Sequence, residues 1–114
     1  MPKRNLNRKT TPYEILGTLE RLGANLALAR KRRGWRQADL AEKLGVSRQT
    51  IVDMEHGKPT VAAVVYASAL WAFNLLGDLK RVAAPEADDV GTALEAARSR
   101  KRVRVSSTGM DDAF

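Results

Sequence analysis

Cysteine is absent and histidine occurs once, so the chain can form no disulfide, offers no thiol nucleophile and lacks the ligands of a Cys-based zinc site. No stretch reaches the ~20 apolar residues of a membrane span. The longest candidate, Val61 to Leu76, is interrupted by Ser68 and Asn74 and reads as a buried core or dimer helix. Met1 to Thr10 is polar and basic, without the apolar stretch of a signal peptide, so a cytoplasmic location is expected. Paired acid and base groups, a Gly-rich phosphate loop and metal-ligand spacing are also missing, so neither an enzyme nor a metal or other cofactor is expected. Positive charge, by contrast, is plentiful. Lys and Arg number 20 against 13 acidic residues, a net charge of +7 over 114 residues. Such a balance favours a polyanionic partner, either nucleic acid or an acidic membrane surface.

The chain reads as one domain with tails and no internal repeat. Residues 1–11 form a basic arm, with Lys3, Arg4, Arg8 and Lys9 and almost nothing to pack, and are expected to be disordered. Thr11 as cap, Pro12 at the first helical position and Glu14 completing a capping box then open a helix. Ile15, Leu19, Leu22 and Leu26 give it one apolar face. Gly17 and Gly23 lie inside it, each costing about 1 kcal/mol against Ala, so 12–33 is either one helix or two. Gly34 ends it after the cationic turn Lys31-Arg32-Arg33. A short helix follows from Gln37 to Leu44, with Leu40, Ala41 and Leu44 inward and Gly45 as stop. Another runs from Arg48 to about His56, with Gly57 in the left-handed position after it. Thr60 is expected to cap the apolar helix, which Asn74 to Gly77 breaks, and Asp78 to Ala84 adds a turn or two. Residues 85–100 read as a C-terminal helix opened by Pro85, serving as a dimer or partner contact, and 101–114 as a basic and polar tail. Within that tail Val103 and Val105 alternate with Arg102 and Arg104 in the manner of a short strand, and the final eight residues read as disordered.

Two short helices joined across Gly45-Val46-Ser47 make a helix-turn-helix. The glycine lets the backbone leave helical space, Ala41 is small where the helices touch, and Val46 and Ile51 sit at the staple positions around the Ser47 cap. In the second helix Ile51 and Met54 point inward, while Arg48, Gln49, Val52, Asp53 and His56 face away. A long bidentate donor, an amide and a small apolar group match guanine, adenine and the thymine methyl in a major groove. Asp53 either accepts from cytosine N4 or orients Arg48. The start of the first short helix, at Gln37, suits phosphate. Glu55 falls on the inward side, where an unpaired carboxylate is costly, and Arg30 at the end of the first apolar face is the candidate partner. Trp35 is expected to plug the core, and Trp71 and Phe73 to be buried or at a dimer contact. The run Arg98 to Arg104 suits DNA, a partner or plain solubility alike.

These motifs carry a resemblance. Leu26-x-x-x-Arg30, then Gln37-Ala38-Asp39-Leu40-Ala41-x-x-Leu44-Gly45-Val46-Ser47, then Thr50-Ile51-x-x-Met54-Glu55-x-Gly57 resembles the Xre/Cro family of helix-turn-helix regulators over about residues 22–84. The resemblance implies an all-α, lambda-repressor-like bundle of five helices, with residues 12–84 as the DNA-binding domain. It assigns base reading to Arg48, Gln49, Thr50 and Asp53, beside Val52 from the helix face, and phosphate contacts to Gln37, Ser47, His56 and Lys58. It makes Arg30 and Glu55 an internal salt bridge. Arg36 departs from the pattern, standing where a capping Ser or Thr is common; a less well capped helix and a phosphate contact from Arg36 are expected. Leu70 to Leu79 and Pro85 to Gly91 are further similar to HipB-like antitoxins, which implies a homodimeric autoregulator on a palindromic operator, a HipA-like kinase toxin as partner and a C-terminal strand at Val103 to Val105. A repressor with no toxin partner, stand-alone or from a prophage, is the alternative.

Overall fold

The computed structural model describes residues 9–107. Of the ends expected to be disordered, 1–11 and the final eight residues, all but residues 9–11 and Ser107 lie outside these. The described chain is helical, with no strand among the described residues: α1 (Tyr13–Arg32), α2 (Gln37–Leu44), α3 (Arg48–Glu55), α4 (Ala63–Ala72), α5 (Leu76–Lys80), a single 3-10 turn at Pro85–Ala87, and α6 (Asp89–Ser107). It divides into two compact units, one ending at Leu79 and one beginning at Lys80.

The core of the first unit joins α1 to α4. Leu26, Leu40, Ala41, Ile51, Met54, Tyr66, Ala69 and Phe73 are buried in it. Phe73, Leu26, Leu40, Ile51 and Met54 are the largest fully buried side chains, each contributing about 1.5–3 kcal/mol by leaving water. The region 12–33 holds one continuous helix, Tyr13–Arg32, rather than two, and α5 buries no residue. Trp35 packs against the core and stacks on Phe73 with ring centroids 5.6 Å apart, while Lys43 Nζ stands 4.6 Å above the Trp35 ring. Arg33 ties two helix ends together: it donates to the Phe73 carbonyl at 2.9 Å and lies over the Phe73 ring.

Four helices stop in the same way. After each of α1, α2, α3 and α4 one residue turns left-handed: Gly34, Gly45, Gly57 and Asn74. The amide of the next residue reaches back to a carbonyl five positions earlier, in Trp35 to Arg30, Val46 to Ala41, Lys58 to Asp53 and Leu75 to Leu70. These backbone bonds satisfy carbonyls that would otherwise be orphaned, and the sharp reversals keep the helices short and close.

The close crossing of α1 and α3 explains two glycines. A Cβ on Gly23 would stand 2.6 Å from the carbonyl oxygens of Met54 and Glu55. From the other side, a Cβ on Gly57 would strike the Leu19 carbonyl and the Glu20 backbone. Gly23 therefore offsets its helix-propensity cost by letting α1 lie directly against the end of α3.

Several boundaries differ from the sequence reading. Pro12, with ψ 145°, is itself the N-cap of α1; neither Thr11 nor Glu14 caps it, and the Pro12 carbonyl accepts from the Ile15 and Leu16 amides. Ile15 is half exposed because the first turns of α1 project beyond the core. The apolar helix begins at Ala63 after an Ala62 N-cap, so Thr60 does not cap it. Trp71 is exposed rather than buried. In the second unit Asp88 accepts from the Gly91 amide at 3.0 Å and starts α6 four residues later than Pro85. Val103 to Val105 is helical, which overturns the expected strand: the alternating pair is too short to outweigh continuation of a helix already under way.

Gly23→Ala is expected to lower stability by about 1–3 kcal/mol, since an added methyl would collide with backbone that cannot swing away. Urea or guanidinium unfolding measures this, and Gly17→Ala, which meets open space, serves as the control that should not destabilise.

Candidate nucleic-acid interface

The two short helices stand on the core by their inner faces and present one outer face. Ser47 is extended at φ −73° and its Oγ accepts from the Thr50 amide at 3.1 Å, giving α3 a side-chain N-cap. The Ser47 and Thr50 hydroxyls also meet at 2.9 Å. Val46 packs against the cluster that holds Ile51, closing the corner. With Ile51 and Met54 fully buried, the opposite side of α3 carries Arg48, Gln49 and His56, all exposed, and Val52 and Asp53, half-buried.

Arg48 has no hydrogen-bond or ion-pair partner among the described residues. Asp53 does not orient it. Five residues apart on a helix, the two project about 140° from each other. Instead Gln49 Nε2 donates to Asp53 Oδ1 at 2.9 Å, and Lys58 Nζ lies 3.1 Å from the same oxygen. Hydrogen bonds from Gln49 and Lys58 hold the Asp53 carboxyl below the usual carboxylate range. The four-residue Gln49/Asp53 spacing is the sequence signal that could have revealed this pair.

The start of α2 is capped by an unexpected residue. Arg36 has no acceptor to offer the helix amides, but Asp39 Oδ2 accepts from the Arg36 backbone amide at 2.8 Å. The Arg36 guanidinium folds onto the same carboxylate, with Nη2 3.2 Å from Oδ1. Those hydrogen bonds hold Asp39 low. Arg36 thus stays on the surface while Asp39 does the capping.

Beneath this face lies an ionic cluster. Arg30 Nε donates to Glu55 Oε2 at 2.6 Å and Nη2 to Oε1 at 3.1 Å, with side chains only 9% and 7% exposed. Arg30 Nη1 also donates to the Trp35 carbonyl at 2.8 Å. Gln37 Nε2 donates to Glu55 Oε1 at 3.0 Å, so its amide faces inward in the free protein rather than toward solvent. Behind α3, the Tyr66 hydroxyl donates to the Lys58 carbonyl at 3.2 Å and fixes the segment that carries the Lys58 ammonium. Burial pushes the Glu55 carboxyl up, but hydrogen bonds from Arg30 and Gln37 and the charges of Arg30 and Lys31 outweigh it, leaving it below its ordinary 4.5.

A carboxyl lowered in the folded state binds fewer protons there than in the unfolded chain. Its stabilisation is complete above the ordinary value of 4.5 and is lost as pH falls through the lower folded value. The thermal midpoint should therefore drop on acidification below about pH 4.5, and Glu55→Gln should flatten that part of the profile. At neutral pH the same variant should lose ~3–5 kcal/mol, because Arg30 is left buried without its counter-charge.

Arg48, Gln49 and His56 thus lie exposed on the outer face of α3, with Ser47 before its first turn and Lys58 just beyond its last. Among the described residues no group of His, Cys, Asp and Glu could hold a metal ion, and no helix is long and apolar enough to cross a membrane. No curated protein and no solved structure matches the chain. A family model described as a helix-turn-helix domain matches residues 21–83, more than half of the chain and the whole of the α2–α3 unit. On that match and this geometry, the chain belongs to the helix-turn-helix domain family of DNA-binding regulators.

Proposed function

We propose that this protein is a sequence-specific transcriptional repressor of the Xre/Cro type that acts in the cytoplasm as a homodimer. Each copy presents α3 to the major groove, and the two half-sites of a palindromic operator are spaced by about one helical turn, ~34 Å, or a multiple. The observation that carries this reading is the exposed outer face of α3, with an Arg48 near its N-terminus that has no partner among the described residues. Arg48 and Gln49 are assigned to base edges, with Val52 against a thymine methyl. Thr50 and Asp53 complete the reading set; Asp53 holds Gln49 in the free protein and takes a base-edge donor in the complex. Ser47, Gln37, Arg36, His56 and Lys58 are assigned to phosphates, Gln37 chiefly through its place in the first turn of α2. Val64 and Trp71, 68% and 66% exposed on α4, supply apolar area that a second copy would cover.

A second, narrower reading makes the protein the autoregulating antitoxin of a HipBA-like system with a HipA-like serine/threonine kinase toxin. It rests on the similarity of Leu70 to Leu79 and Pro85 to Gly91 to HipB-like antitoxins. The strand that this similarity implied is helical, so the two segments are its support. Co-purification of such a kinase with the chain favours the antitoxin; its absence leaves a repressor without a toxin partner, stand-alone or from a prophage.

Arg48→Ala should cost ~1–3 kcal/mol of operator binding and relax preference at one base position, whereas Lys58→Ala should weaken all duplexes alike and flatten the salt dependence by about 1. Binding to duplexes selected from a random pool, titrated at stated salt, measures both. Unchanged base preference in Arg48→Ala would remove α3 as the reading helix.

A further inference from the structure

The second unit holds a helix that buries no side chain from Asp89 to Val103. From Asp89 to Val103 every residue of α6 except Gly91 is exposed, including Val90 at 71% and Leu94 at 60%. Into this helix the sequence places Arg98-Ser99-Arg100-Lys101-Arg102-Val103-Arg104, five cations in seven residues, with no acidic residue between Glu95 and Asp111. Arg98, Arg100, Lys101 and Arg102 have no hydrogen-bond or ion-pair partner among the described residues.

Two ordinary explanations fall short. The helix dipole favours cations at a C-terminus, but its influence fades within the last turn, and Arg98 to Arg102 precede the last turn of a helix that ends at Ser107. Solubility needs charge but not this arrangement. Arg98 with Arg102 and Arg98 with Lys101 are like charges at four- and three-residue spacing, which repel on the helix surface and work against it. A bound polyanion would relieve such repulsion, for which the described part of α6 has no buried face to compensate.

The angular distribution selects among polyanions. At about 100° per residue, Arg98 and Arg102 fall within about 40° of each other, while Arg100 stands about 200° round from Arg98. A flat anionic membrane or the face of an acidic protein would meet one side only. A duplex groove has a phosphate wall on each side, and a major groove about 12 Å wide accepts a helix about 10–12 Å across.

We infer that residues 98–102 form a second duplex-DNA contact, in which Arg98, Arg100, Lys101 and Arg102 neutralise phosphates on both strands without reading sequence. This deepens the DNA-binding reading of α3 and rests on it for the identity of the polyanion. The contact adds affinity and salt dependence and leaves base preference to α3.

The test is full-length protein in which Arg98, Arg100, Lys101 and Arg102 are all replaced by Gln, a residue of similar helix propensity, so that charge changes and helicity does not. Binding is titrated over a range of salt on a duplex selected by the wild type and on a random duplex, with Arg48→Ala in parallel. Loss of two or more phosphate contacts, each worth a slope of ~0.9, should make the plot of log K against log salt shallower by about 2 or more, equally on both duplexes. A slope within about 0.5 of wild type overturns the inference. If Arg48→Ala then still alters base preference, the α3 reading stands without it. A shallower quadruple variant beside an Arg48→Ala variant with unaltered preference supports the α6 contact and overturns α3 as reader. A wild type that binds no duplex overturns both. A quadruple variant that keeps its slope but sediments as a smaller species also overturns the inference, in favour of a contact between chains.

Discussion

The Arg30–Glu55 ion pair joins the C-terminal turn of α1 to the C-terminal turn of α3, and the outward placement of the opposite face of α3 follows from it. An α3 of eight residues is too short to persist alone, since isolated helices below ~12–15 residues are marginal in water. Its inner face must therefore be anchored along its whole length. Ile51 and Met54 bury the middle, the Ser47 cap fixes the beginning, and the ion pair with Gln37 fixes the end. Gly23 and Gly57 belong to the same arrangement. Each removes a side chain where α1 and α3 meet, so that the carboxylate and guanidinium come within 2.6 Å. A buried charge pair is a costly anchor compared with apolar packing, but it is a directional one, and it fixes the angle of α3 as well as its place.

On the outer face the polar groups are arranged by a different rule. Asp53 sits between Gln49 and Lys58 and keeps both in place, while Arg48 is left to solvent. The carboxylate would repel phosphate if it stood alone; with an ammonium 3.1 Å away its field is largely cancelled. Positioned and unpositioned donors thus alternate along the face, and Tyr66 steadies the segment from which Lys58 reaches.

Much of this was legible in the residues themselves. The turn Gly45-Val46-Ser47, the inward Ile51 and Met54, and the requirement of Glu55 for a cation all follow from helical spacing and the cost of a buried charge. What escaped was set by packing between segments remote in sequence. Gly23 reads as a weak point in a helix until the Met54 and Glu55 carbonyls are found beside it. The helix after Arg36 reads as poorly capped until the Asp39 carboxylate is found on the Arg36 backbone amide. The alternation of Val103 and Val105 with arginines points to a strand after residue 100, but two alternations are too few to tell a strand from the continuation of a helix.

The two tryptophans stand in opposite circumstances. Trp35 is pressed between the Phe73 ring and the Lys43 ammonium, whereas two thirds of Trp71 meets water. Their indoles therefore form a pair of optical reporters with separate subjects. The emission of Trp35 follows the integrity of the interior, and that of Trp71 follows whatever comes to cover α4. Replacing either with Phe would let the other be heard alone.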